Sequence, residues 1–523
     1  VTVVGVYKDF PVTTDYPFKL IASYPTLEGL NVYDNGMESW NYTSSSTNCL
    51  ALLDKDANPM DLERQFPDFV DKYKGEDESR FESFKLQPFG DIHFNRQLYN
   101  YSERTINKEV LLALGVIGLI LIITACINFI NLATAQAIKR SKEIGIRKVL
   151  GGYRTQLVVQ FLSETFIITF FALLVSLGVA ELLLINLTEI LSYRLYLDPF
   201  GDMLFLAFLF GITAFVGVLS GLYPSFLLAR INAISALRAK LGSSSAGGFS
   251  LRRALVIFQF GISQLLIICT VIVNSQMDYF YSKGLGFETD GILLTYLPEN
   301  DKNQLDRLEQ ELLSHPEIEK VSFNISAPTG ENNFSANFSY TPLQMEEDPH
   351  ANFKLIDEKY FDLFNLNLLA GRALNERDSN TVVVNRQIVK FMGLANPEEA
   401  IGEKLNGGGI RGSNQMTIVG VVDDYHTYSL HDKLEFVIMM YAPDLFFEAG
   451  IKYTNAGKEN VLKIVEEEWS KVYPAYVFDY DFLDEQLVER YQDEQGMAKL
   501  LTIFSVIAIF IGCLGLYGLI TFL

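Results

Sequence analysis

Seven residues set between two apolar stretches form the densest candidate for function in this chain: Lys139, Arg140, Lys142, Glu143, Ile144, Arg147 and Lys148. Residues 136–157 carry six Lys or Arg against one Glu. Charge alternates with Ile144, Ile146 and Val149, which on a helix gives one polar and one apolar face. Glu143 and Arg147 stand four apart, the spacing of a helical ion pair. Such a segment can hold a protein partner or anionic lipid head groups. On residue types alone it serves equally well as a loop that only sets membrane topology. A second set, His426 and His431 beside Asp423 and Asp424, has the side-chain types of a metal site. A structural turn is the better reading, because Gly-Val-x-x-Asp at 420–424 recurs at 5–9 without the histidines. No other catalytic set emerges. The glycine run at 407–412 lacks the Lys-Ser/Thr of a phosphate-binding loop, so no nucleotide site is expected in this chain.

The elements that must position the basic segment are membrane spans. Leu111–Ala135 is almost uninterrupted apolar sequence, long enough to cross a bilayer. Further spans are expected at about 158–186, 203–228, 254–277 and 498–523, the first lying at about 110–134. Residues 230–253 carry five Lys or Arg and no acid. Every basic cluster next to a span then falls on one side, the cytoplasmic one. The acid lies elsewhere: 18 Lys or Arg against 39 Asp or Glu in 278–497, and 10 against 17 in 1–107. Long acidic polar blocks between spans read as extracytoplasmic domains. The five apolar stretches argue against a soluble acidic protein with buried helices, and no nucleic-acid partner is expected. Cys126, Cys269 and Cys513 fall in spans, which leaves Cys49 without a partner for a disulfide and suits a bacterial envelope. Glu164 and Glu181 are the acids nearest a span interior, and Glu164 reads as a residue of the cytoplasmic interface. Asn128, Asn131 and Gln259 read as isolated polar positions, which argues against an ion-coupled transporter. Gly211, Gly217 and Gly221 allow close helix packing.

The fold class is a multi-span α-helical membrane protein with two mixed α/β extracytoplasmic domains. The expected order is an outer domain over 1–107, a membrane domain over 108–232 with its cytoplasmic loop at 136–157, and a cytoplasmic linker at 233–253. A span at 254–277, a second outer domain over 278–497 and a further membrane segment at 498–523 follow. Thr2–Phe10 matches Thr417–Tyr425, and Cys126–Leu132 matches Cys513–Leu519, so a tandem repeat of span, outer domain and three spans is expected. By that repeat the first copy opens inside a strand, roughly 160 residues and a span would precede Val1, and roughly 100 would follow Leu523. The parent would have about 800 residues and about eight spans. The helices Tyr101–Glu109 and Leu483–Gly496 are expected to run on into spans as stiff levers, with Gly496 the one weak point.

The run from Ala125 to Gly152, and above all Lys142–Gly151 (KEIGIRKVLG), resembles the start of an FtsX-like permease domain. The segment Val256–Leu285 is similar to the opening span of that family's second module, and the outer domains look like MacB-type periplasmic core domains. The tandem arrangement resembles large permeases of Bacteroidetes. The resemblance implies a membrane subunit of an ABC system in the bacterial inner membrane, with its large domains in the periplasm. Such a subunit passes ATP-driven motion from a separate cytoplasmic ATPase dimer to the outer domains. It also implies that the basic segment is a coupling helix docked in a cleft of that ATPase. Ile144 would be the apolar contact, Glu143 and Arg147 an ion pair, and Lys139, Arg140, Lys142 and Lys148 contacts with partner or lipid. ATP and Mg would be bound by the partner, with no cofactor in this chain. A periplasmic or outer-membrane partner would complete the system, whose output would be export of a peptide, lipoprotein or drug, or envelope regulation. The alternative is an ATP-independent receptor or adaptor whose outer domains sense a ligand.

Overall fold

A computed structural model describes residues 3–11, 14–23, 48–75, 83–95, 98, 105–191, 201–230, 246–330, 334–343, 348–407, 415–430, 432–454 and 457–522. They form two compact units, Val1–Ala125 and Cys126–Leu523. In the first, α1 (Pro59–Glu63) starts where the Asn58 side chain accepts the Met60 N–H, and α2 (Phe66–Lys74) follows. Phe66 and Phe69 of α2 pack edge-on against Phe84. Residues 3–11 form no strand. The expected strand at Thr2–Phe10 is therefore not present among the described residues, although its match is the strand Gln415–Val422. The reason is pairing: an apolar alternation becomes a strand only beside another, and Val3, Val4 and Val6 are exposed. The first lever is also shorter than expected. Thr105–Asn107 is irregular and α3 begins at Lys108, while 101–104 lie outside the described residues.

Among the described residues, five helices are long and apolar enough to cross a membrane, over Lys108–Gln136, Arg154–Leu184, Met203–Arg230, Arg253–Phe280 and Glu494–Gly518. They belong to α3 (Lys108–Lys139), α5 (Arg154–Leu191), α6 (Met203–Arg230), α7 (Ala246–Lys283) and α13 (Gln492–Phe522). The chain is thus a multi-span membrane protein. Between α3 and α5 lies the short α4 (Ser141–Val149). Helix α6 packs on α5 through two of the three expected glycines. A Cβ on Gly217 would lie 2.8 Å from Phe166 Cε1, and one on Gly221 3.0 Å from Leu162 Cδ2. Gly211 faces open space instead. The polar positions expected to be isolated are brought together. Asn128 Nδ2 donates to the Ile511 carbonyl at 3.1 Å, and its Oδ1 lies 2.3 Å from where Gly515 would carry a Cβ. Asn131 and Gln259, both nearly fully buried, line one small cavity with Gly512 and Gly515. Its volume of about 10 Å³ suits a single water rather than a path.

The outer domain between α7 and α13 has two sheets. One is antiparallel in the order β11-β1-β10-β2, built from Tyr480–Phe482, Ile292–Tyr296, Glu448–Tyr453 and Ile318–Asn324. The other runs β5-β8-β6-β9-β4-β3-β7, with β8 also pairing β7. That last pairing closes six strands into a ring: β8 (Gln415–Val422), β6 (Thr381–Asn385), β9 (Val437–Met440), β4 (His350–Leu355), β3 (Phe334–Ser339) and β7 (Lys404–Gly407). The appended strand is β5 (Leu368–Gly371). Alternation along each strand sorts the core into layers. Phe353, Leu355, Val382, Val384, Ile418 and Ile438 fill the ring. Their neighbours Val383, Val437 and Met439 face outward onto Ile292 and Leu294 of the flat sheet. Helices α8 (Lys302–Leu313) and α11 (Lys458–Val472) cover that sheet's far side through Leu308, Leu312, Val465 and Trp469. Lys354 sits buried between ring and sheet, donating to Ser326 Oγ and the Ala327 carbonyl at 2.9 Å each. Burial pulls its amine down to about 7.

The second lever is not one helix. It is α12 (Leu483–Arg490) and α13, broken at Tyr491 with φ −102° and ψ 12° rather than at Gly496. Tyr491 is held there by its own contacts, and Gly496 lies within α13.

Arg372 gives the outer domain a measurable pH dependence. Its guanidinium makes a two-pronged contact with Asp378 at 2.7 and 2.8 Å, and this holds the carboxyl at about 2. A depressed carboxyl contributes stability above its unfolded value of about 4 and loses that contribution as pH falls toward the folded value. Asp378→Asn should cost about 1–3 kcal/mol at neutral pH. The gap from wild type should narrow progressively between about pH 5 and about pH 1. Urea unfolding of the detergent-solubilised chain, followed by tryptophan fluorescence, checks this; a gap independent of pH would show that the ionised carboxylate contributes nothing.

Candidate functional site

The basic segment folds as α4, and its C-terminus is set by two glycines. Gly151 adopts φ +99°, which an L side chain rarely tolerates. Its N–H reaches the Lys148 carbonyl at 3.2 Å, and the Gly152 N–H reaches that of Arg147 at 3.0 Å. These two bonds are the Schellman pattern and stop the helix there. The run Lys148-Val149-Leu150-Gly151-Gly152 is thus a helix end written in sequence.

Contacts to α5 and α6 fix the helix. Ile144 is 2% exposed and packs with Leu157, Leu228 and Phe161. Arg147 pairs with Glu143 at 2.7 Å, as the i,i+4 spacing predicts, and also donates to Gln160 Oε1 at 2.9 Å. Arg140 pairs with Glu164 at 3.4 Å. Glu164, expected at the cytoplasmic interface, is thus ion-paired with the basic segment. Lys148 Nζ donates to the Ala229 carbonyl at 2.7 Å, one of the last carbonyls of α6, where helical donors run out and negative potential gathers. Burial, then the charge of Arg154, lowers the Lys148 pKa.

These contacts correct the expected assignment of roles. Ile144 cannot be the apolar contact for a partner, because it is already buried within its own membrane domain. Arg140, Arg147 and Lys148 likewise bind neighbouring elements of the same chain. Lys142 is exposed, and the Lys139 side chain lies outside the described residues. What α4 and its end present outward is Ile146, Val149, Leu150 and Tyr153, exposed by 50%, 64%, 81% and 72%. Ile146, Val149 and Leu150 stand at i, i+3 and i+4 along α4 and its C-cap as a helical stripe, and Tyr153 is exposed just past the turn at Gly151. The stripe is legible in the sequence as a second apolar one beside Ile144. Which stripe faces out depends on Leu157 and Leu228, remote positions that periodicity does not contain.

Among the described residues, the acids of the histidine set have other partners. Asp423 pairs with Arg386 at 3.3 Å, and Asp424 accepts from the Gln387 N–H and Nε2 at 3.0 and 2.7 Å. His431 lies outside the described residues. Among those described, no three His, Cys, Asp or Glu are placed to hold a metal.

Residues 115–233, which contain α4, match the FtsX-like permease C-terminal family. The macrolide export ATP-binding/permease protein MacB of Bdellovibrio bacteriovorus is 28% identical over 162 residues, covering 31% of this chain and 23% of that protein. The uncharacterized ABC transporter permease YknZ of Bacillus subtilis is 30% identical over 131 residues, 24% of this chain and 30% of that one. The chain thus matches less than a third of either relative's length. Among solved structures, the periplasmic region of MacB from Actinobacillus actinomycetemcomitans aligns at 15% identity with a TM-score of 0.28, covering 38% of this chain and 94% of that one. The family match places an FtsX-like permease domain over residues 115–233, spanning α4 and the helices that hold it, and the matched relatives are an ATP-binding/permease protein and an ABC transporter permease.

If Ile144 anchors α4, Ile144→Ala should destabilise the membrane domain by about 2–4 kcal/mol. Ile146→Ala should stay within about 0.5 kcal/mol of wild type. Thermal unfolding in detergent separates the two; equal losses would refute the division of the helix into an anchored and an outward stripe.

Proposed function

We propose that this chain is the membrane subunit of an ABC system in the bacterial inner membrane, passing ATP-driven motion from a separate cytoplasmic ATPase dimer to its periplasmic domains. The observation that carries the reading is the outward stripe Ile146, Val149 and Leu150, with the exposed Tyr153 just past it, on a helix fixed to two spans. Apolar side chains that large are stabilised by entering a cleft, by about 1.5–3 kcal/mol each when fully buried. Lys142 beside them suits an acidic rim on the partner. ATP and Mg are bound by that partner, and this chain supplies a handle and a linkage. A push on α4 reaches α5 through Ile144–Leu157, Arg140–Glu164 and Arg147–Gln160. It reaches α6 through Ile144–Leu228 and Lys148–Ala229. Because these contacts surround the helix, bundle and handle move as one body. The names of the relatives, an ATP-binding/permease protein for macrolide export and an ABC transporter permease, support the same class. The output is export of a peptide, lipoprotein or drug, or regulation of the envelope, with any periplasmic or outer-membrane partner engaging the outer domains.

Co-expression of the protein with any ABC ATPase found in a neighbouring reading frame tests this. Wild type should retain the ATPase through purification. Ile146→Asp with Leu150→Asp should lower retention about ten-fold or more while the melting temperature stays unchanged. A folded wild-type protein that never retains an ATPase would overturn the proposal and favour an ATP-independent receptor.

A further inference from the structure

Both spans that bracket the outer domain are fastened to a single loop of it. The span of α7 ends at Phe280 and that of α13 begins at Glu494, so the two chain crossings lie just outside the membrane. Beyond α7, the chain turns at Gly284 and Gly286, with φ of +66° and +98°. There the His426 N–H donates to the Leu285 carbonyl at 3.0 Å. A Cβ on Gly286 would lie 2.9 Å from Tyr425 Cβ and 3.0 Å from the Asp424 carbonyl oxygen. This close approach, together with the positive φ, requires glycine. Before α13, Arg490 Nη1 donates to the Tyr428 carbonyl, and the Leu430 N–H donates to Tyr491 Oη, each at 3.0 Å. Four contacts along Tyr425–Leu430 thus pass in chain order from the turn after α7, at Tyr425 and His426, to the residues before α13, at Tyr428 and Leu430.

The spans themselves are joined at that level. Tyr491 stacks on Phe280, ring centroids 5.7 Å apart at 21°, and is buried with Met277 and Ala498. Farther into the membrane, Thr270 Oγ1 lies 2.7 Å from Ser505 Oγ. On the other side the loop connects β8 to β9, and both of those strands pair with β6. It is pinned to the β6 end as well: Asn385 Nδ2 donates to the Glu435 carbonyl at 2.7 Å, and Gln387 binds Asp424. The chain also offers a more direct route, since α7 leads to β1 and α12 follows β11, which are neighbours in the flat sheet. The loop route differs in its end point, because it reaches three adjacent strands of the closed ring.

We infer that the loop Asp424–Leu430 is the joint by which the paired spans α7 and α13 set the position of the six-stranded ring, with Tyr491 as its pivot. The helix break at Tyr491 frees the phenol to accept from Leu430 while its ring stays stacked on α7. The joint belongs to the spans and outer domain alone, and stands whether or not an ATPase drives them.

Hydrogen exchange on the whole chain in nanodiscs tests it. Thr270→Val with Ser505→Ala loosens the seam inside the membrane without touching the loop. Amide exchange in β8 and β9 should then rise about ten-fold. In a Tyr491→Phe background, which keeps the ring and removes the acceptor, the same seam change should move β8 and β9 by less than about two-fold. The inference is overturned if the seam change acts equally with and without the tyrosine hydroxyl. It is also overturned if exchange rises in β1 and β11 while β8 and β9 stay fixed, or if nothing outside the membrane responds. No ATPase is present in this measurement, so its failure is distinct from failure of the functional reading.

Discussion

Inside a bilayer no water is available to satisfy a polar group, so each must find its partner within the protein. That constraint shapes the membrane half of this chain. Hydroxyls fold back onto their own helices: Thr165 on Phe161, Thr213 on Leu209, Ser225 on Gly221, and Thr502 on Ala498. Asn128 is too long for that and reaches across to the carbonyl of Ile511, an approach that only a glycine at 515 permits. Polar residues scattered along the sequence are gathered into one seam because the alternative is desolvation without compensation.

The same rule operates at the edges, where it has functional consequences. Beside α4, Lys148 satisfies the end of α6 and Arg140 neutralises Glu164. The basic helix becomes an outcrop of the bundle instead of a free loop. At the outer face, backbone groups of Tyr425–Leu430 are satisfied by the emerging spans. Both ends of the bundle are therefore mechanically continuous with what they face. The proposed passage of motion from one side to the other requires such continuity. Side-chain hydrogen bonds and close packing supply it more stiffly than a flexible linker can.

Outside the membrane, stability comes from layers. The ring core, the ring–sheet interface and the helix-covered sheet face each draw on alternate residues of the same strands. Neighbouring valines such as Val382 and Val383 serve different layers. Strands buried on both faces read as continuous apolar runs, which is why Thr381–Asn385 and Val437–Met440 stand out in the sequence while their order in the ring does not. Ring closure rests on β7 pairing both β3 and β8, and no local pattern announces a partner so far along the chain.

By itself the sequence determined what depends on local composition. The five spans, the side on which the basic clusters lie, the Glu143–Arg147 pair and the helix end at Gly151-Gly152 all follow from runs of a few residues, since hydropathy, i,i+4 spacing and left-handed glycine are short-range properties. The tertiary structure decided which apolar stripe of α4 is buried, because Leu157 and Leu228 choose Ile144 over Ile146. It broke the second lever at Tyr491, where the backbone follows a phenol held by Leu430 and Phe280, instead of at the intrinsically weaker Gly496. It also left residues 3–11 without a strand despite their likeness to β8, because a strand is a relation between segments and not a property of one.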